Sequence, residues 1–375
     1  MDIHTKHQDS KQVTKFKSIL LIQLGDIGDV VLTTPTIRAV KENYPGARVS
    51  ILVRKPFGSL LLADPNLHEV VEATKVSGTF LNTILEYVRF ARRLRRMRFD
   101  LVISLRTGDR SAILSFLTKA KVRVGLHEVN KPFWYKHLFT KLLLDPPYAE
   151  LPVHPGAGQS LRIVRAIGID TNNSIPKLHI APKDSAHATE LLAECGLTST
   201  SRWVTINPYS RWKYKEWGYT KWGEVIDRLW QDHQLVTVLI GSPEEASVAE
   251  DIVAGRSKHT FNLAGKTTLG ELSALISMSK LHLGVDSAAP HIAASVGTPT
   301  LTIFGPGNWK NWTITDELHR VVTAGMQCVP CNRKGCDDSE KSQCLDELGT
   351  DKVYVEINFI LSVIDQKSSS QNPTE

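Results

Sequence analysis

The strongest constraint on the fold is an alternation that runs twice. From Lys17 onward, short apolar runs of strand character alternate with stretches of helical spacing: "SILLIQL", "RVSILV", "DLVISL" and "VRVGL" against "VVLTTPTIRAVKENYP" and the span Ile84–Phe99. After Pro182 the pattern starts over, with "WVTINP", "LVTVLIG", "HTFNLAG", "KLHLGVD" and "TPTLTIFG" separated by "WGEVIDRLWQD", "EEASVAEDIVA", "LGELSALISM" and "APHIAASVG". Strands that alternate with helices predict parallel sheets covered by helices. Two such units suit 375 residues, at roughly 150 residues per domain. The Pro/Gly-rich "LLLDPPYAELPVHPGAG" marks a break, but "QSLRIVRAIGI" after it completes the first unit, so the boundary falls near residue 180. The expected organisation is a polar tail over 1–16, one α/β domain over 17–180, a second over 181–365, and a polar tail over 366–375. Two facing doubly wound units direct the carboxyl ends of both sheets at one cleft, where such sheets bind ligands.

Apolar residues make up 42% of the chain, which excludes a disordered polymer. No window approaches the ~20 apolar residues of a membrane span. The opening "MDIHTKHQDSKQVTKFK" has no apolar signal core, so a cytoplasmic protein is expected. The net charge of +6 is modest, yet "RFARRLRRMRF" carries arginines at 89, 92, 93, 95, 96 and 98. A solvated helix face is the plain reading. Electrostatic attachment to an anionic membrane, on the cytoplasmic face of the inner membrane, is the sharper one. Nucleic acid is not an expected partner, because no binding module is present.

The chemistry gathers where strands end. In "LIQLGDIGDVVLTTP" a strand runs into a turn bearing Gly25, Asp26, Gly28 and Asp29, without the G-x-G-x-x-G of dinucleotide binding. Gly25 and Gly28 are expected to permit the tight turn. Asp26 reads as a turn residue. Asp29 suits the start of the first helix, either as its cap or as a general base at the strand's carboxyl end. In "LGVDSAAPHIAASVG", Asp286 ends a strand, and Ser287, Ala288 and Ala289 open a helix whose free N–H groups an anion can approach. His291 follows one turn on, as a structural hydrogen bonder or a ligand contact. In "INPYSRWKYKEW", Ser210, Arg211, Lys213 and Lys215 offer hydroxyl and cationic groups for a diphosphate, or form a solvated basic loop. In "GSPEEASVAED", Glu244 and Glu245 favour a helix start, and a carboxylate there also suits ribose hydroxyls.

Together these stretches resemble the ADP-heptose:lipopolysaccharide heptosyltransferases of glycosyltransferase family 9, from about Lys17 to about Asp365. The resemblance implies a two-domain GT-B fold, with a lipid-linked lipopolysaccharide acceptor on the first domain and the nucleotide-sugar donor on the second. It implies that Asp29 is the catalytic base, Lys215 the donor-phosphate lysine, Ser210 part of the phosphate loop and Glu245 the nucleotide-side acid. Asp286, Ser287, Ala288 and His291 match the D-[ST]-x-x-x-H donor element, with Ala288 where many members carry glycine. The implied reaction is a single inverting displacement. The sequence contains no D-x-D, which agrees with transfer that requires no metal. Three other readings share the pattern: another nucleotide sugar or glycan acceptor, a GT-B-like nucleotide-sugar epimerase, and a non-catalytic nucleotide-binding scaffold.

Four of the five cysteines, Cys328, Cys331, Cys336 and Cys344, are spaced C-x2-C-x4-C-x7-C, while Cys195 stands alone as a core thiol. Without an export signal, the four suit a structural zinc, less often an iron–sulfur cluster, or stand as free thiols in a surface loop. The loop over 328–344 also resembles that of the heptosyltransferase III subgroup, which adds a branch heptose to the inner core.

Overall fold

Two six-stranded parallel sheets, one from each half of the chain, frame the computed structural model, which describes residues 16–73, 80–146, 154–256 and 258–371. The first sheet contains β1 (Ser18–Gln23), β2 (Arg48–Arg54), β3 (Glu69–Ala73), β4 (Leu101–Ser104), β5 (Val122–Leu126) and β6 (Lys141–Leu143), in the order β3-β2-β1-β4-β5-β6. The second contains β7 (Trp203–Asn207), β8 (Val236–Leu239), β9 (Thr260–Asn262), β10 (His282–Val285), β11 (Thr300–Ile303) and β12 (His319–Val322), in the order β12-β11-β10-β7-β8-β9. Each order reverses in the middle, between β1 and β4 and between β7 and β10. These are the two topological switch points, where crevices open at the strands' carboxyl ends.

Helices cover both faces. The first half carries α1 (Ile27–Leu32), α2 (Thr34–Asn43), α3 (Phe80–Arg96), α4 (Asp109–Leu117) and α5 (Pro155–Arg165). The second carries α6 (Pro182–Glu194), α7 (Tyr219–His233), α8 (Ala246–Val253), α9 (Leu269–Ser277), α10 (Ala289–Ser295), α11 (Gln343–Glu347) and α12 (Thr350–Gln371). Strands β1, β4, β7, β10 and β11 are buried along their whole length, so near-continuous apolar runs satisfy both faces. One apolar cluster joins the halves. Val30, Val31, Ala157 and Leu161 of the first belong to the same core as Leu275, Ile276, Ile292 and Ala293 of the second.

Several elements differ from the sequence reading. Three strands escaped it: β3, β6 and β12, all at sheet edges and only partly buried. Their segments, "EVVEA", "KLL" and "HRVV", carry the charges that edge strands tolerate and central ones do not. The helix expected over "VVLTTPTIRAVKENYP" is two helices. The first starts earlier, at Ile27, because Asp26 caps it, and it ends at Thr33, where Pro35 opens the next. The tail expected over 366–375 is helical as far as Gln371. Ser368 and Ser369 donate their hydroxyls to the carbonyls of Ile364 and Asp365, at 2.9 Å each, and extending a helix already formed is cheap. The tail expected over 1–16 lies outside the described residues, except Phe16.

Candidate active site

A cleft of about 1080 Å³ opens between the two sheets, lined from both halves. It contains Gly28 and Asp29 from the first half, and Ser210, Lys215, Glu245, Asp286, Ser287, Ala288 and His291 from the second. Every one of these follows the carboxyl end of a strand. These sequence-derived candidates, scattered over more than 260 residues of chain, therefore share one space, whereas Gly25, Lys213 and Glu244 do not line it.

At the first switch point, Asp26 is the N-cap of α1 and Asp29 stands three residues in. The Asp26 backbone N–H donates to Asp29 Oδ2 at 2.8 Å. This corrects the reading of Asp29 as the helix cap, since it stands in the first turn and its carboxylate reaches back to Asp26, which is the cap. Arg106, just beyond β4, forms an ion pair with the same oxygen. Gly25 is needed for a different reason from the one expected. Neither Gly25 nor Gly28 adopts a left-handed conformation. A Cβ at Gly25 would collide with the Asp29 carboxylate and the Arg106 guanidinium. A Cβ at Gly28 would lie 3.3 Å from His291 Cδ2, across the contact between α1 and α10.

At the second switch point, Lys215 Nζ lies 2.7 Å from Asp286 Oδ2. The Ser210 hydroxyl donates to the Asp286 carbonyl at 3.3 Å, and the Ser210 N–H donates to Glu216 at 3.0 Å. Glu216 also receives Lys213 at 2.8 Å and the Tyr219 hydroxyl at 2.7 Å, so it ties the loop over 210–219 together. Ala288 caps α10, which begins at Ala289 with the helical run "APHIAASVG", so Ser287 and Ala288 precede the helix rather than open it. The Ser287 hydroxyl is buried without a partner among the described residues. Glu245 Oε2 accepts the Ser242 N–H at 2.7 Å, and burial raises its carboxyl while that hydrogen bond opposes the shift. His291 is held neutral. Loss of solvent, then the Lys215 cation, pushes it down to about 4.

The sequence reading missed two of the cations that face these acids, Arg106 and Arg54, and gave Arg211 to a diphosphate or a solvated loop. Arg54, at the end of β2, and Arg211 both bind Asp26 Oδ1, at 2.5 and 3.1 Å. The second of these pairs spans the cleft. The available signal was a cation at or just past a strand's carboxyl end, in "LVRKP" and "SLRTGD". His154 was missed as well. It caps α5, its Nδ1 accepting the Ala157 N–H at 3.5 Å, and burial and the nearby His291 push it down to about 4.

The cysteine loop lies apart from the cleft. Cys328 and Cys336 are exposed, Cys331 is partly buried and Cys344 is buried. Burial and then the three other thiols push Cys344 up to about 11, so the four share one neighbourhood. Among the described residues, however, no group of three or more His, Cys, Asp or Glu side chains is arranged to hold a metal.

Two doubly wound sheets facing across a cleft, with an acid on one rim and a lysine, a serine and a short helix on the other, define a GT-B glycosyltransferase. The match is to glycosyltransferase family 9 (heptosyltransferase), over residues 87–341, and the chain belongs to that family. It is 30% identical to lipopolysaccharide heptosyltransferase 3 of Escherichia coli strain K12 over 295 residues, covering 76% of this chain and 83% of that one. Among solved structures it is similar to a family 9 glycosyl transferase from Veillonella parvula, with TM-score 0.77 and 22% identity over 92% of this chain and 97% of that one. It is also similar to E. coli ADP-heptose lps heptosyltransferase II, with TM-score 0.75 and 19% identity over 94% and 99%.

Proposed function

We propose that this glycosyltransferase moves a heptose from ADP-heptose to a hydroxyl of the lipopolysaccharide inner core, with inversion. The observation that carries the reading is the opposition of Asp29 and the Lys215–Asp286 pair across one cleft. The sugar's anomeric carbon sits between them. Asp29 takes the proton of the acceptor hydroxyl, the new bond forms from that oxygen to the anomeric carbon, and the bond to the diphosphate oxygen breaks. The electron pair leaves with ADP, whose growing negative charge Lys215 and the unpartnered Ser287 hydroxyl stabilise. The first half is the acceptor side and the second the donor side. Glu245 suits the nucleotide's hydroxyls, and neutral His291 offers a hydrogen bond without charge. Before the step, Arg106 must turn away from Asp29 or share it, because one Asp29 oxygen is already occupied.

No step of this reaction is routed through a metal. A structural zinc at Cys328, Cys331, Cys336 and Cys344 is a separate proposal, supported by the ligand spacing and by the thiols' mutual proximity. The loop must close further to form such a site. Metal analysis of the purified chain checks it: one zinc per chain, lost in Cys331→Ser, is expected, and no bound metal leaves four free thiols.

Incubation with ADP-heptose and heptose-truncated core acceptors tests the reaction. The expected result is an acceptor mass gain of one heptose with matching ADP release. Asp29→Ala abolishes transfer and still binds ADP. Transfer retained in that variant would remove Asp29 from its role, and ADP binding without transfer to any acceptor would favour a scaffold.

A further inference from the structure

We infer that Ser342 is a positioning residue for Lys215, and that the cysteine-bearing segment around it braces the donor side of the cleft. The inference rests on the proposed role of Lys215 at the donor diphosphate. It gives the segment a task at the site that calls for no metal.

Ser342 stands at the N-cap of α11, where a serine hydroxyl ordinarily accepts a backbone N–H from the first turn of its own helix. Among the described residues it makes no such cap. The side chain is buried, and its hydroxyl donates instead to the Tyr214 carbonyl at 2.6 Å, 128 residues away in the chain. That carbonyl belongs to the peptide unit that carries Lys215. On the other side of Lys215, the Trp217 indole N–H donates to the Leu348 carbonyl at 3.0 Å. Ser342 and Leu348 therefore grip the chain on both flanks of the lysine. The grip is itself anchored. Lys221 Nζ, on α7, donates to the carbonyls of Leu345, Asp346 and Leu348 at 3.1, 2.6 and 3.0 Å.

The same segment reaches the lysine's partner. The Asn332 N–H donates to the Pro306 carbonyl at 2.7 Å, and Asn332 Oδ1 accepts the Asn308 N–H at 3.2 Å. Between Pro306 and Asn308 lies Gly307, where a Cβ would collide with the Asp286 carboxylate. Asn332 and Ser342 thus back the two members of the Lys215–Asp286 pair. The cysteines flank these contacts. Cys331 immediately precedes Asn332. The Cys336 N–H donates to the Lys341 carbonyl at 2.7 Å, one residue before Ser342. Cys344, two residues after it, is buried in the same apolar cluster as Trp217. A lysine carries its charge on a long flexible stem, so its backbone must be fixed if the charge is to meet a leaving phosphate. Glu216 ties the loop over 210–219 from within, and Ser342 fixes it from without.

Donor kinetics of the full chain test the brace. Ser342→Ala is expected to lower kcat/KM for ADP-heptose and to weaken ADP binding by calorimetry, each about tenfold, with the KM for the acceptor unchanged. Ser342→Thr keeps the hydroxyl and is expected to recover most of the loss. Asn332→Ala, at an exposed position, is expected to weaken ADP binding through Asp286. Amide hydrogen exchange at Lys215 and Glu216 is expected to quicken in Ser342→Ala. Unaltered donor kinetics and ADP affinity in a folded Ser342→Ala, an equal rise in both KM values, or no recovery in Ser342→Thr would each overturn the assignment. Should Ser342→Ala fail to fold, undiminished ADP binding by Asn332→Ala would overturn it. Absence of transfer in the unaltered chain would instead defeat the heptosyltransferase reading. The amide exchange would still judge the brace, and an unchanged rate at Lys215 and Glu216 would remove it.

Discussion

At the scale of single residues, the site depends on close approach more than on charge. Gly25→Ala is expected to reduce transfer as severely as loss of Asp29, because the added methyl occupies the space of the Asp29 carboxylate and Arg106. Steady-state rates with ADP-heptose check this, and near-normal turnover would mean that the two side chains have room to move. Two buried histidines, His154 and His282, and the half-buried His291 of the cleft set a pH dependence. His291 and His154 are pushed from 6.5 to about 4, and His282 to about 3, in each case chiefly by burial. Unfolded, these groups bind protons below pH 6.5, whereas folded they bind them only near 3 to 4. Their neutral burial therefore favours the fold fully above pH 6.5 and progressively less as the pH falls toward 4. Melting temperature should fall over that window, and less steeply in His291→Gln. A flat profile would show that the three are protonated in the fold at no cost.

At the scale of elements, α1 and α10 carry the contact between the turn bearing Asp29 and the loop bearing Asp286. Gly28 lets them meet, and Gly28→Val is expected to cost ~1–3 kcal/mol by forcing α1 away from His291. Urea denaturation measures this, and an unchanged midpoint would show that the two helices can slide apart freely. The central strands were legible because burial on both faces demands apolar runs. The edge strands β3, β6 and β12 were not, since a half-exposed strand of three to five residues carries too few apolar positions to stand out. The start of α1 was misplaced for a related reason. Asp26 and Asp29 are chemically alike, and only the backbone path decides which one caps and which reaches back.

At the scale of the whole molecule, the contacts among the described residues that hold the halves together include a shared apolar cluster, the Leu178 N–H donating to the Ser295 carbonyl at 3.0 Å, and an ion pair across the cleft, Asp26 with Arg211. Both partners of that pair are well exposed, so Arg211→Ala should change stability by under ~1 kcal/mol. The same variant should open the cleft, seen as a larger radius of gyration by small-angle scattering. An unchanged radius would show that this ion pair does not set the opening of the cleft. By itself the sequence determined the class of fold, since periodicity and strand burial are local properties that each segment carries within it. It also singled out the acids, the lysine and the serines that the structure gathers in the cleft, because strand ends in such a fold mark where ligands bind. Only the tertiary structure decided that Arg106 faces Asp29 and that Lys215 faces Asp286. It likewise brought Arg54 and Arg211 together on Asp26 from positions more than 150 residues apart. Such pairings depend on strand order and on the packing of one half against the other, and no window of sequence contains either.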